Sequence, residues 1–312
     1  MEVCNITNET NPCVFADHVG DDPVANWLVG VISLFFSIAC VAPYVIILKI
    51  IAADKELKDV PAYRIMFHLG ISDVTQGVLL AIGGPFTMCQ CTLHPIINKI
   101  CGGILNSAFF AYIPLTVLLA FNRLVIFFSP SKTGVLLGKK FTTICIIACW
   151  LWGLLFFSFY LSPWVGLAYF PAEYTWGYDE SVMSEAAETL ELYATVSQLA
   201  ACGVIYGLIA IKLILTRRAF GNQSSEMRHE FRFLLQAALT AGYCMFVQFA
   251  WHNYGLFFDD QKWTYFAVNM MWIFNVGVNP TVYLALNKTL RGRFVEMCGL
   301  KKQTSINPTT TF

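Results

Sequence analysis

The sequence predicts an all-α membrane protein: a bundle of seven transmembrane helices followed by a short amphipathic helix on the cytoplasmic surface. Hydrophobic residues make up 57% of the 312 residues and charged residues only 13%, and the mean hydropathy is +0.59. A soluble globular protein carries about 25% charged residues. Much of this surface must therefore face lipid, which argues against an ordinary soluble enzyme. The zero formal charge also provides no general basic field for nucleic acid.

Seven apolar segments are each long enough to cross a bilayer. A hydrocarbon core of about 30 Å requires roughly 20 mostly apolar residues in a helix, because lipid offers the backbone no hydrogen-bond partner. A core helix of a soluble protein is the alternative for any one segment, but seven in succession favour a membrane protein. The segments are Pro23–Leu48, Tyr63–Cys89, Ile97–Phe128, Phe141–Ser162, Leu192–Thr216, Phe231–Phe258 and Trp263–Asn287.

The placement of charge predicts which ends of the spans face the cytoplasm. Eighteen of the 20 basic residues fall on one side of the predicted membrane, and only Lys99 and Lys262 fall on the other. By the positive-inside rule the N-terminus is extracellular and the C-terminus cytoplasmic. Sequons at Asn5 and Asn8 predict glycosylation of the outer tail. The predicted regions are that tail (1–22), the bundle (23–287), the amphipathic helix (288–298) and a cytoplasmic tail (299–312).

Ionisable and helix-breaking residues inside the spans indicate special roles, because they are costly there. Asp73 lies mid-span in the second segment, where a neutral structural acid and an ion-linked switch are both consistent with its position. In the seventh span, Pro280 frees a backbone carbonyl and predicts a bend that Asn279 can satisfy or release. Arg123 lies at the cytoplasmic end of the third span, where a snorkelling anchor is the alternative to a functional arginine.

The chain after the seventh span has the pattern of a membrane-surface helix. Leu290, Phe294 and Met297 recur at helical spacing among three cations, which suits a short amphipathic helix on the inner leaflet. Cys298 at its end is a candidate for lipidation, and a free thiol is the alternative.

Five cysteines fall on the predicted outer side, where disulfides persist. Five thiols form at most two bridges and leave one over. We expect a bridge between the outer tail and the region from residue 89 to residue 101, with its connectivity left open. The candidates are Cys4, Cys13, Cys89, Cys91 and Cys101.

Over about residues 26–298, these motifs resemble a rhodopsin-like (class A) G-protein-coupled receptor. The sharpest motif is Asn-Pro-Thr-Val-Tyr, from Asn279 to Tyr283, near the end of the seventh span. Asp73, the pair Asn122–Arg123 and Trp150 fall in the matching spans. The sequence entering the second span and the one following Tyr283 are most similar to the nematode serpentine chemoreceptors of the class T or class X groups.

The resemblance implies a chemosensory receptor that binds a small extracellular ligand and activates a heterotrimeric G protein. It implies a multi-pass protein of the plasma membrane, with the sensory cilium as a further expected location. The expected partners are the small-molecule ligand, the G protein and the lipid bilayer; no nucleic acid, cofactor or enzyme activity is expected, and homo-oligomerisation is left open. The alternative is a transporter or channel with seven spans, which would show internal repeats or paired broken spans, and the sequence shows neither.

The resemblance also implies a pocket among the outer halves of spans three, five, six and seven, and an activation switch below it. Packing is the alternative for the aromatic members of the pocket. The pocket candidates are Asn106, Phe109, Phe110, Gln248, Trp251, His252, Tyr254 and Trp272. The switch candidates are Asp73, Asn122, Arg123, Tyr206, Asn275, Asn279, Pro280 and Tyr283.

Several positions depart from the family pattern. Leu105 stands where aminergic receptors carry an aspartate, and Ile273 stands where an opsin carries its retinal lysine, so neither a biogenic amine nor retinal is favoured. Tyr112 replaces a usual serine ligand and disfavours a sodium ion at Asp73. The acidic outer side could steer cations towards the protein, although the same acidity follows from topology alone.

Two further departures concern structure. Asn122 stands where an acid usually precedes the arginine, so a local ion pair with Arg123 is absent. The segment 162–192 contains no cysteine, so the family's disulfide between the third span and the second outer loop cannot form.

Overall fold

The part of the chain that the structure describes contains seven long helices, two short helices and two small strand pairs. The structure is a computed structural model, and it describes residues 14–15, 22–129, 137–220, 225–256 and 262–299. The helices are α1 (Pro23–Ala53), α2 (Lys55–Asp59), α3 (Pro61–Cys89), α4 (Pro95–Phe128), α5 (Lys139–Tyr160), α6 (Ser184–Phe220), α7 (Ser225–Asn253), α8 (Lys262–Leu286) and α9 (Lys288–Met297), with a 3-10 turn at Tyr254–Leu256. The strands are β1 (Val14–Phe15), β2 (Cys91–Thr92), β3 (Leu167–Phe170) and β4 (Thr175–Tyr178).

The long helices correspond to the seven predicted spans. Within the described residues, α1, α3, α4, α5 and α6 are long and apolar enough to cross a membrane by length and composition. The helix α8 is less apolar because it carries three buried asparagines, Asn269, Asn275 and Asn279. These amides face the interior of the bundle, where other polar side chains can satisfy them. The predicted all-α bundle of seven helices is confirmed.

Small residues let neighbouring helices approach closely. A Cβ atom on Gly30 of α1 would lie 2.6 Å from the carbonyl oxygen of Gly84 on α3, and one on Gly84 would lie 2.8 Å from that of Gly30. Any larger residue at either position would force the two backbones apart. Close contact through paired glycines is a common way for helices to associate in lipid, where the hydrophobic effect does not drive them together.

The antiparallel hairpin β3–β4 covers one end of the bundle, which we call the hairpin end. Its register pairs Leu167 with Tyr178 and Phe170 with Thr175. The side chain of Asn98 on α4 holds the hairpin: its Oδ1 accepts from the backbone N–H of Tyr169 at 3.0 Å, and its Nδ2 donates to the carbonyl of Tyr169 at 3.2 Å. These two bonds pair the backbone N–H and carbonyl groups of Tyr169, which would otherwise lie unpaired at the edge of the hairpin.

The hairpin and the start of α6 differ from the sequence-based expectation. No strand was expected between spans four and five, and α6 begins at Ser184 rather than at Leu192. Glu185, Glu188 and Glu191, which precede the predicted start of the fifth span, are therefore helical. Apolar composition marks only the part of a helix that faces lipid, whereas this first part of α6 lies beside the hairpin, where polar side chains find partners.

The opposite end of the bundle, which we call the α9 end, is closed by polar contacts around α9. Asn287 caps this helix, because its Oδ1 accepts from the backbone N–H groups of Thr289 and Leu290 at 3.1 and 3.2 Å. Arg293 forms an ion pair with Asp54 at 3.2 Å. Leu290 is fully buried against the bundle, so the apolar face of α9 is partly covered by protein. The predicted role of α9 on the lipid surface stays a prediction.

Candidate functional site

A narrow inner cavity lies between α4, α6, α7, α8 and β3–β4 at the hairpin end. Its unfilled volume is about 20 Å³, which is room for about one water molecule. Aromatic and amide side chains dominate its walls, a composition typical of small-molecule sites. The lining residues are Asn106, Phe109, Leu167, Tyr178, Glu191, Cys244, Val247, Gln248, Trp251, Trp272 and Asn275.

A wider opening, which we call the vestibule, lies between the inner cavity and the outside of the hairpin end. Its volume is about 290 Å³, and three glutamates, Glu173, Glu180 and Glu188, contribute to its wall. Trp251 and Tyr178 line both spaces. They therefore separate the vestibule from the inner cavity, and a change in either side chain would alter access between the two.

A carboxyl group is buried in the wall of the inner cavity. Glu191 on α6 is 5% exposed, and its Oε2 accepts hydrogen bonds from Tyr178 Oη at 2.5 Å and from Asn106 Nδ2 at 2.8 Å. Tyr160 Oη lies 2.7 Å from the same amide nitrogen and 2.8 Å from Tyr178 Oη. Four polar side chains from α4, α5, α6 and the hairpin thus form one hydrogen-bonded cluster, the Glu191 cluster.

Two tryptophan side chains connect the wall of the inner cavity to the interior of the bundle. Trp251 on α7 packs edge-to-face against Trp272 on α8, with ring centroids 5.2 Å apart. The indole Nε1 of Trp272 donates to Oε1 of Gln76 on α3 at 3.0 Å. Gln76 Nε2 in turn donates to Ser72 Oγ at 3.2 Å, and Ser72 Oγ donates to the carbonyl of Ala108 at 2.6 Å. These contacts join α7, α8, α3 and α4.

Asp73 lies one residue beyond Ser72 and is 1% exposed. Its Oδ2 accepts from Asn279 Nδ2 at 2.8 Å, and the same amide donates to Tyr112 Oη at 3.1 Å. The buried hydroxyl of Tyr44 is a second polar group that interacts with the Asp73 carboxyl. The structure thus brings together Asp73 of the second span and Asn279 of the seventh. Tyr112 of the third span lies beside them.

Three further switch candidates meet closer to the α9 end. Arg123 interacts electrostatically with both Tyr206 and Tyr283, although these tyrosines lie on α6 and α8. Both side-chain amide atoms of Asn122 are buried without a hydrogen-bond partner among the described residues. Asn122 therefore provides no hydrogen bond that would hold Arg123. Asn275, a switch candidate from the sequence, instead lines the inner cavity.

The predicted pocket residues divide into three groups. Asn106, Phe109, Gln248, Trp251 and Trp272 line the inner cavity, and Tyr254 lines the vestibule together with Trp251.

The remaining two predicted pocket residues line neither space. Phe110 is directed away from the inner cavity and stacks on Phe156 of α5 with ring centroids 3.5 Å apart. Adjacent residues on a helix point about 100° apart, and this rotation directs Phe110 towards α5 while Phe109 lines the cavity. His252 is buried, with its Nδ1 3.8 Å from Glu188 Oε1.

Sequence reasoning missed Glu191, Tyr178 and Tyr160. Glu191 immediately precedes the predicted fifth span, which begins at Leu192, so the sequence gives no reason to place it in the bundle interior. The residues around Tyr160 on α5 and Tyr178 in the hairpin give no indication of their partner. One signal was available in the helical spacing. Thr195 and Leu199 are buried core positions of α6, and Glu191 lies four and eight residues before them. This spacing places Glu191, and Glu188 three residues earlier, on the buried face of α6.

The predicted modification sites are only partly described. Asn5, Asn8, Cys4 and Cys13 lie outside the described residues. Cys91 is disulfide-bonded, whereas Cys89, Cys101 and Cys298 are free thiols. Strands β1 and β2 pair through Phe15 and Cys91, which joins the tail to the α3–α4 connection.

Comparisons with known proteins agree with this architecture. The family model described as "Serpentine type 7TM GPCR chemoreceptor Srt" matches residues 3–307. No curated protein matches the chain by sequence. Among solved structures, squid rhodopsin superimposes with a TM-score of 0.70 at 13% sequence identity, covering 93% of this chain and 91% of that chain, which shows a shared fold. The chain therefore belongs to the Srt family of serpentine seven-transmembrane G-protein-coupled chemoreceptors.

Proposed function

We propose that this receptor binds a small extracellular ligand at the hairpin end, mainly in the vestibule and with one small group in the inner cavity, and activates a heterotrimeric G protein at the α9 end. The observation that carries the proposal is the position of Trp251. It lines both the vestibule and the inner cavity, and it packs against Trp272, whose indole is hydrogen-bonded to Gln76. A ligand in the inner cavity would contact a side chain connected to the core of the bundle.

The orientation belongs to the same proposal. The hairpin end faces outwards, and the α9 end faces the cytoplasm of a plasma-membrane receptor, as in a sensory cilium. The positive-inside rule supports this orientation, because the basic residues Arg64, Lys139, Lys140, Arg291 and Arg293 are all near the α9 end, while the vestibule is acidic. Asn5 and Asn8 would then be glycosylated, and Cys298 would be accessible to cytoplasmic acylation.

Activation requires a ligand to favour one of two arrangements of the helices. We propose that outward movement of α6 and α7 at the α9 end opens a cleft beside Arg123, Tyr206 and Tyr283. These three groups interact in the present structure, so the movement would separate them. A helix of the G protein would occupy the cleft, and its binding would in turn favour the ligand-bound arrangement.

The test is a reporter-cell screen of small odorants on the full chain carrying an N-terminal epitope. Trp251→Ala should abolish or strongly weaken a response that the unchanged receptor shows. Trp27→Ala provides the matched control, because Trp27 on α1 is 60% exposed and contacts neither the inner cavity nor the vestibule. Equal loss in both variants would refute the cavity as the ligand site.

Orientation has its own measurement. The epitope should be stained on intact cells, and Asn5→Gln with Asn8→Gln should remove a glycan-dependent shift in electrophoretic mobility. Staining only after permeabilisation would contradict an extracellular N-terminus.

A further inference from the structure

The inner cavity presents a carboxyl group that no described cation neutralises. Among the described residues, no lysine, arginine or histidine lies within 4 Å of Glu191. Its Oε2 accepts from Tyr178 and Asn106, while its Oε1 makes no hydrogen bond with any described residue. A buried carboxyl group normally has a cationic partner or is neutral. A cationic ligand would supply the partner that the described part of the chain does not.

Two further side chains of the same wall contribute unpaired acceptor oxygens. Asn106 Oδ1 and Gln248 Oε1 are buried without a hydrogen-bond partner among the described residues, and both side chains line the inner cavity. The orientation of the Asn106 amide follows from its partner, because its nitrogen faces Glu191 Oε2 at 2.8 Å. A buried acceptor without a hydrogen bond destabilises the protein. A group with several N–H donors would satisfy these acceptors together.

Aromatic rings complete the surroundings of the carboxylate. Trp251, Trp272 and Phe109 line the same space, and tryptophan rings bind cations through their faces. The glutamates of the vestibule add negative charge along the way in. That charge would raise the local concentration of a cation and disfavour an anion.

We infer that the ligand carries a protonated amine whose ammonium group enters the inner cavity while the rest of the ligand lies in the vestibule. Glu191 is its counter-ion, and Asn106 and Gln248 are acceptors for its N–H groups. The inference rests on the proposed function and specifies its ligand class. Aminergic receptors carry their aspartate at the position of Leu105, which is apolar and fully buried here. In this chain the carboxyl group comes instead from Glu191, on a different helix, α6. No covalent step is involved, and the ammonium group binds as an intact ion.

Direct binding can be measured without signalling. The purified full chain in detergent micelles should be thermally stabilised by isopentylamine, and its neutral isostere isopentanol should stabilise it at least 10-fold less effectively in concentration. Equal stabilisation by the amine and the alcohol would overturn the inference, since charge would then contribute nothing.

Charge and hydrogen bonding can be separated by substitution. Glu191→Gln keeps an oxygen that accepts from Tyr178 and Asn106 but removes the charge, and it should weaken isopentylamine binding about 10- to 100-fold. Glu191→Asp keeps the charge on a shorter side chain and should retain part of the binding. The matched control is Glu185→Gln, because Glu185 is an exposed acid on the same helix. Unchanged amine binding by a folded Glu191→Gln variant would show that Glu191 is a structural acid only.

The two proposals can fail separately. If isopentanol or another neutral compound activates the receptor while no amine binds, the inference fails and the receptor function stands. If isopentylamine binds through Glu191 but no G-protein response follows in any reporter, the proposed signalling fails and the binding inference stands.

Discussion

The indole of Trp272 donates a hydrogen bond to the side-chain oxygen of Gln76 across a distance of 3.0 Å, inside the bundle. Trp272 contacts Trp251 beside the inner cavity, and Gln76 donates a hydrogen bond to Ser72, the residue next to Asp73. A buried hydrogen bond between two helices favours one relative position of those helices. The pair is therefore a candidate connection between the ligand site and the switch.

Removing this hydrogen bond should alter signalling more than expression. Trp272→Phe keeps an aromatic ring but leaves Gln76 Oε1 without its donor, at a cost of about 1–3 kcal/mol. We expect a changed basal signal and a shift of at least several-fold in the agonist concentration for half-maximal response. Trp152→Phe is the control, because Trp152 lies on α5 and is 37% exposed. If both substitutions act alike in a reporter assay, the hydrogen bond has no special role.

Asp73 and Asn279 should show energetic coupling. Asp73→Leu removes the acceptor of the 2.8 Å bond and should destabilise the receptor by about 1–3 kcal/mol. In a double-mutant cycle with Asn279→Leu, the two losses should fall short of additivity by at least about 0.5 kcal/mol. The measurement is the unfolding midpoint in micelles. Additive losses would mean that the two side chains do not stabilise each other.

Arg123 should matter for the G protein and not for the ligand. Arg123→Ala removes the cation that interacts with Tyr206 and Tyr283 and should abolish reporter activation while thermal stabilisation by agonist persists. Lys140→Ala, an exposed basic residue of α5, provides the control. A full response from Arg123→Ala would contradict the proposed coupling site.

Gly102 should tolerate no side chain. A Cβ atom there would lie 1.9 Å from the carbonyl oxygen of Leu167 in the hairpin, and backbone cannot move away as a flexible side chain can. Gly102→Ala should cost about 1–3 kcal/mol through overpacking. Gly207→Ala on α6 is the matched control, because a Cβ atom there meets no atom within 4 Å. An equal melting temperature for the two variants would show that the hairpin is not held against α4.

Acid should weaken the attachment of the hairpin. Burial raises the pKa of Asp179, but hydrogen bonds from Ser184 and Ser181, together with the charge of Lys99, outweigh it and hold the pKa below the ordinary 3.8. A carboxyl group whose pKa is lower in the folded protein than in the unfolded chain stabilises the folded state at pH values above 3.8. This contribution disappears as the pH falls through the pKa of the folded protein.

The corresponding measurement compares Asp179→Asn with the unchanged chain. Asp179→Asn should lower the melting temperature at neutral pH, and the difference should vanish in strong acid. Glu185→Gln serves as the control, since Glu185 is exposed. A difference that persists unchanged in acid would show that the charge of Asp179 contributes nothing.

Local patterns were enough to predict the helices and several residues that meet between them. Asp73 and Asn279 were named as switch candidates because each is a polar residue in an otherwise apolar span, and the structure shows that they are hydrogen-bonded to each other. Phe109 and Trp272 were placed in the cavity wall for a weaker reason, since aromatic residues pack in many places. Phe110 shows that weakness, because it stacks on Phe156 and does not line the cavity.

The sequence by itself determined the seven apolar helices and the family, because lipid requires long apolar segments and the motifs lie within single helices. It also predicted the asymmetry of charge between the two ends. Only the tertiary structure decided the chemistry of the inner cavity. Glu191 has the same local appearance as the acids around it. Its burial depends on Asn106, Tyr160 and Tyr178, which come from two other helices and the hairpin, and contacts between such distant segments leave no periodic trace in the chain.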